Sequence, residues 1–207
     1  MINLKESELV KKLNSFYENK GMIYMNEVRM GIGIPDILIS NKIIRDLKVV
    51  TDYYELELYY FLIKTRIRTL SSLINRYGYS KEHVKKYTEE LTKKNIIEVN
   101  GNKISIKYRI DRENLGVNIS IEAKLKDWKG ALLQAERYLS FSEYSYVALP
   151  SIQVNKVEKS NFEEKGIGLL SVSEDKIVEI IKPKKSKECN NILKYIATSY
   201  LNRNYLK

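Results

Sequence analysis

Val117-Asn118-Ile119-Ser120-Ile121-Glu122-Ala123-Lys124-Leu125 alternates apolar and polar side chains and reads as a β-strand. Residues two apart on a strand project from the same face. The Glu122 carboxylate and the Lys124 ammonium therefore stand side by side. Just downstream, Asp127 can cap a helix from Trp128 to Leu139, with Trp128, Ala131, Leu132, Ala135 and Leu139 on its inner face. Tyr144 to Leu149 is a buried strand stopped by Pro150. Gly168 to Val172 and Lys176 to Ile181 form a hairpin around Glu174-Asp175. A basic loop, Pro183 to Lys187, leads to a final helix from Cys189 to Tyr205.

Upstream, residues 4–19 read as a helix whose apolar stripe is Leu4, Leu9, Val10, Leu13 and Phe16. Met22 to Met30 is extended, Gly31-Ile32-Gly33 turns, and Ile34-Pro35-Asp36-Ile37-Leu38-Ile39-Ser40 is a strand with its Pro at the start. Lys48-Val49-Val50 reads as a further strand.

The character changes near Asp52. Residues 53–64, 69–76 and 81–94 read as three helices, the last with Ser80 as its N-cap. Ile96 to Val99 and Lys103 to Lys107 flank Asn100-Gly101, a strong hairpin signal. Three helices and a hairpin in this order predict a winged helix-turn-helix over 53–110. With that segment removed, 1–52 and 111–207 form one discontinuous α/β (α+β) domain, a mixed central sheet flanked by helices.

Composition narrows the chemistry. The chain has 207 residues, 43% hydrophobic and 30% charged, enough for a full core and a small second module. No stretch approaches the roughly 20 apolar residues of a membrane span, and Met1 leads into a charged helical pattern rather than a signal-peptide core. A cytoplasmic protein with no membrane partner is the expectation. One Cys and one His argue against disulfides, His/Cys metal sites and Ser-His-Asp catalysis. A metal, if used, would be a hard cation on carboxylates. Lys and Arg number 36 against 26 Asp and Glu, a net charge of +10, which favours polyanionic partners, chiefly nucleic acid. Residues 53–110 hold 12 of the basic and 6 of the acidic residues, hence +6 of that charge.

Asp36 is the second unusual residue. A charge in an Ile/Leu-rich strand is costly unless paired or metal-bound. Two carboxylates from neighbouring strands can hold one divalent cation, which would polarise a phosphate and acidify a water. Lys124 would orient that water or stabilise the developing charge.

Gly33-Ile34-Pro35-Asp36, Ile121-Glu122-Ala123-Lys124 and a following helix with Gln134 together resemble the PD-(D/E)xK, or restriction-endonuclease-like, nuclease superfamily. Asp127 to Ala135 and Ser145 to Pro150 resemble its next helix and core strand. The resemblance covers about 1–50 and 111–182. It implies a restriction-endonuclease-like core, a Mg²⁺ cofactor (with Mn²⁺ able to substitute) held by Asp36, Glu122 and the Ala123 backbone, and catalytic roles for Lys124 and Gln134. The family often adds a Glu from the first helix or strand: Glu27 is preferred here, because a hairpin would bring it near Asp36, with Glu6 and Glu8 as alternatives. The long gap between Asp36 and Glu122 is accounted for by the inserted winged helix. On that module Arg76, Ser80, Lys81, Lys85, Lys86 and Lys103 are the expected duplex-DNA contacts, with Arg66 and Arg68 adding to the same basic surface. The expected activity is a Mg²⁺-dependent deoxyribonuclease, an endonuclease. The alternatives are a DNA-binding regulator on an inactive nuclease-like scaffold, or a subunit that needs a protein partner or a second copy, as a homodimer, to act.

Overall fold

The computed structural model describes residues 5–109 and 113–206. Leu4 and the 110/111 boundary expected between the two units lie outside the described residues. The chain runs α1 (Glu6–Glu18), β1 (Ile23–Asn26), β2 (Ile37–Ser40), α2 (Tyr53–Thr65), α3 (Leu70–Arg76), α4 (Lys81–Lys93), β3 (Ile97–Asn100) and β4 (Lys103–Ile106). After a short 3-10 turn come β5 (Asn118–Ala123), α5 (Trp128–Tyr138), β6 (Tyr144–Pro150), α6 (Ser151–Val154), α7 (Lys159–Lys165), β7 (Gly168–Val172), β8 (Ile177–Ile181) and α8 (Asn191–Tyr205). The coarse expectation of a mixed sheet flanked by helices is met.

Six strands form one sheet in the order β1-β2-β5-β6-β7-β8; β3 and β4 pair separately. The centre, β5-β6-β7, is parallel, and its strands are almost wholly buried, as parallel strands covered on both faces must be. The remaining pairings, β1-β2, β2-β5 and β7-β8, are antiparallel. Alternation then divides the apolar side chains between two faces. Ile37, Ile39, Ile121, Ala123 and Ala148 pack against Leu9, Leu13 and Tyr17 of α1. On the other face, Val147, Leu149 and Leu169 meet α5 and α7, while Leu38 meets Tyr138, Phe141 and α8.

Everything from α2 to β4 lies in sequence between β2 and β5, yet these two strands are neighbours in the sheet. The apolar cluster has no seam there. Leu56, Leu58, Tyr59 and Leu62 of α2 and Val84 and Leu91 of α4 belong to the same cluster as Leu38, Tyr195 and Leu201. Asp52 caps α2, accepting from the Tyr54 and Glu55 amides, and a partly buried ion pair joins Glu55 of α2 to Lys94 at the end of α4.

One sequence expectation changes. Lys48-Val49-Val50 is not a strand: the Tyr195 hydroxyl donates to the Lys48 carbonyl at 2.6 Å and the Val50 amide donates to Ser199 Oγ at 3.2 Å. Side chains of α8 thus satisfy backbone groups that a neighbouring strand would otherwise take. Residues 151–165, between the expected strands, hold two short helices that carry no strong periodicity; α7 ends on Gly166, which is left-handed at φ 67°. Among the described residues no helix is long and apolar enough to cross a membrane.

Candidate active site

The antiparallel register sets Ile37 opposite Ile121 and Leu38 opposite Ser120. Asp36, in the bend just before β2, lies one step past this register, on the side of Glu122. Directly opposed residues share a face, and Lys124 joins that face by the two-residue period of β5. The register thus brings the three charged groups to one end of β2 and β5.

Side-chain contacts close the arrangement. Lys124 Nζ lies 2.8 Å from Glu122 Oε1, and 3.9 Å from both Asp36 Oδ2 and Glu6 Oε2. The Ala123 amide donates to Asp36 Oδ2 at 2.7 Å. The Tyr138 hydroxyl lies 2.7 Å from Glu122 Oε2 and 3.0 Å from the Ile34 carbonyl, so its one proton serves two acceptors. The ring of Tyr138 lies against the 33–34 backbone so closely that a Cβ at Gly33 would sit 2.7 Å from it. That contact requires glycine at position 33 and binds the turn before Asp36 to α5.

The electrostatics follow from burial. Desolvation pushes the Asp36 carboxyl up; the Ala123 amide and Lys124 act against this, while Glu6 and Glu27 add to it. Glu122 is also pushed up, by burial first, with Lys124 and Tyr138 opposing and Asp36 adding. For Lys124, burial acts downward, but the Glu122 hydrogen bond and the nearby carboxylates outweigh it, and the ammonium is held above its usual value. Lys124 is therefore a fixed positive charge at neutral pH and not a proton acceptor. Burial and the Glu122 carboxylate likewise push the Tyr138 phenol up, keeping it a hydrogen-bond donor.

The donor set suits a hard divalent cation. Asp36 and Glu122 are neighbouring carboxylates whose mutual repulsion a cation would relieve, and the Ala123 carbonyl, between Glu122 and Lys124 in sequence, would be a further oxygen donor. Among the described residues no group of three or more His, Cys, Asp or Glu side chains converges as a metal cluster. Protein carboxylates would thus fill only part of the shell, leaving positions for water and a phosphate oxygen.

The other expected residues are distributed as follows. Gln134 is half-buried on α5, one turn before Tyr138 on the stripe formed with Ala131 and Ala135. Glu27 is exposed at φ 52°; its amide donates to the Asp36 carbonyl at 3.3 Å. Glu6, at the start of α1, reaches Lys124, whereas Glu8 accepts from the Lys5 amide at the N-terminus of α1. Arg76, Lys81, Lys85, Lys86 and Lys103 are exposed, all on the segment from α3 to β4. The Ser80 hydroxyl accepts from the His83 amide at 3.2 Å and so caps α4. Sequence reading missed Tyr138. Its signal was available, since Tyr138 lies four residues after Gln134 and so on the same helical face.

Compared with protein-family models, with curated proteins and with solved structures, the chain has no significant match.

Proposed function

We propose that the chain is a Mg²⁺-dependent deoxyribonuclease of the PD-(D/E)xK type, an endonuclease. In this reading residues 53–109 are a winged helix that holds duplex DNA. The observation that carries the proposal is the convergence of Asp36, Glu122 and Lys124 on one face at one end of two paired strands. The order of α2, α3, α4 and the β3-β4 hairpin supports the module, as does the short run from Arg68 to Leu70 beside β4.

In this mechanism Asp36, Glu122 and the Ala123 carbonyl would hold the cation. When bound, it supplies polarisation of the phosphate and a water acidified toward hydroxide. Lys124, fixed as a cation by Glu122, offsets the negative charge that grows on the phosphorus oxygens during in-line attack. Tyr138 anchors Glu122 Oε2 and leaves Oε1 to Lys124, so the carboxylate cannot rotate. Gln134 lies one turn away and would orient the water or a phosphate oxygen.

The test is cleavage of supercoiled plasmid and linear duplex with Mg²⁺ or Mn²⁺, beside the Lys124→Ala variant. Metal-dependent cutting that disappears in the variant is the expected result. Intact DNA at every metal concentration, with DNA still bound, would replace this reading with that of a DNA-binding regulator or partner-dependent subunit.

A further inference from the structure

The end of α2 and the β3-β4 hairpin enclose two adjoining cavities of about 370 Å³ each. Ile63, Arg68 and Arg109 line both, so the two form one groove; Tyr59 and Arg66 complete one half and Lys103 lines the other. Its floor is apolar and its rim carries four cations. Among the described residues, no Asp or Glu lines it. Among the described residues, none of the four cations forms an ion pair.

The backbone explains why they gather. Arg66 ends α2 in the left-handed region, at φ 56°. The chain therefore doubles back beside β4, where the Ile104 amide donates to the Arg68 carbonyl at 2.8 Å and Thr69 bridges to Lys103. The Arg68 guanidinium is held in place by donating to the Ile67 carbonyl at 2.8 Å and the Leu62 carbonyl at 3.4 Å. Arg66, Lys103 and Arg109 are exposed. Arg109 also lines a neighbouring cavity of about 250 Å³ with Lys42, so the basic strip continues toward the end of β2.

Helix α4 is a poorer surface for a polyanion. It carries four lysines against three glutamates, with Lys93 tied to Glu90 at 2.6 Å. His83 in its first turn is stacked on Tyr79 at 4.3 Å.

The geometry points to the Arg66–Arg68–Lys103–Arg109 groove, rather than α4, as the surface that holds the sugar-phosphate backbone of duplex DNA. This inference rests on the reading of the chain as a protein that acts on DNA. Guanidinium groups match phosphate oxygens with paired donors. Several cations spaced along a groove suit a repeating monoanion better than one small anion. Asp36 precedes β2 and Lys42 follows it, six residues on, so the near end of the strip and the candidate active site lie at most about 20 Å apart. That is about six base pairs of duplex, so one duplex could be held at one end and cut at the other.

The experiment is fluorescence anisotropy of a labelled duplex with the full chain, without divalent metal, across a salt series. The triple variant Arg66→Gln, Lys103→Gln, Arg109→Gln should lose about tenfold or more in affinity. Its slope of log affinity against log salt should fall by about 2 to 3, at about 0.9 per phosphate contact. The variant Lys81→Gln, Lys85→Gln, Lys86→Gln should keep the parental affinity and slope. Circular dichroism checks folding, and single substitutions at Arg66 and Arg109 serve if the triple variant does not fold. Parental binding by the groove variants, or loss confined to the α4 variant, would overturn the inference, as would failure of the parent to bind duplex. Competition by inorganic phosphate at concentrations comparable to DNA phosphate would assign the groove to a small anion and overturn it too. Loss of binding in the groove variants of a parent that does not cut DNA would leave the groove standing and remove only the nuclease reading.

Discussion

A Lys–Glu pair sits at each end of strand β5, and the two pairs behave differently. At its start, Lys194 of α8 meets Glu143, both side chains about 5% exposed or less. There Lys194 Nζ also donates to the Gly116 carbonyl at 2.7 Å, and Glu143 Oε2 accepts from the Asn118 amide at 2.9 Å. One positive charge meets one negative charge, and the remaining polar atoms named are hydrogen-bonded. At the other end, Lys124 meets Glu122, but Lys124 is 22% exposed and Asp36 and Glu6 crowd the same ammonium. Negative charge is left over and the cluster faces solvent. The same residue types therefore make a closed clasp at one end and an open, incompletely neutralised cluster at the other. Uncompensated negative charge at an accessible sheet end is what a site for a cation requires.

The largest expected effect breaks the comparison at the open end. Glu122→Ala or Asp36→Ala should lower metal-dependent cleavage by about 10³-fold while the protein still melts cooperatively. Equal loss of stability and activity would make this end a clasp like the other. At the closed end, Lys194→Met should destabilise the fold by about 3–5 kcal/mol, because Glu143 is left buried and unpaired. Denaturant unfolding measures this, and adding Glu143→Leu should recover much of the loss. A neutral Lys194→Met would show that the pair contributes nothing.

Tyr138→Phe keeps the ring over Gly33 and removes only the hydroxyl on Glu122. Cleavage should fall about tenfold and stability by about 1 kcal/mol; an unchanged kcat would deny Tyr138 its positioning role. The smallest effect concerns pH. Burial raises the folded pKa of Asp36, so its favourable contribution is complete below the unfolded value and lost as pH rises through the folded one. Asp36→Asn should therefore raise Tm at neutral pH by about 2 °C, and the gain should vanish on acidification toward about pH 4. A destabilising Asp36→Asn would mean that Lys124 fully compensates the carboxylate.

Much of the architecture was legible because it is local. The alternation around Glu122, the cap at Asp127 and the Asn-Gly turn each bias only a few residues, and β5, α5 and the β3-β4 hairpin formed where expected. The failed strand at 48–50 had the right residue types, but α8 side chains took its backbone hydrogen bonds. Short helices α6 and α7 lack the length over which helical periodicity becomes visible.

The sequence by itself determined that Glu122 and Lys124 share a face and that a helix with Gln134 follows. Both depend on covalent geometry and the strand and helix repeats. Only the tertiary structure decided that Asp36 lies beside Glu122, that Tyr138 holds that carboxylate, that Lys194 is buried on Glu143, and that the three arginines face one groove with Lys103. Each of these joins groups distant in sequence or depends on a left-handed turn. Such contacts are selected by which apolar faces are buried together, a property of the whole chain and not of any one segment.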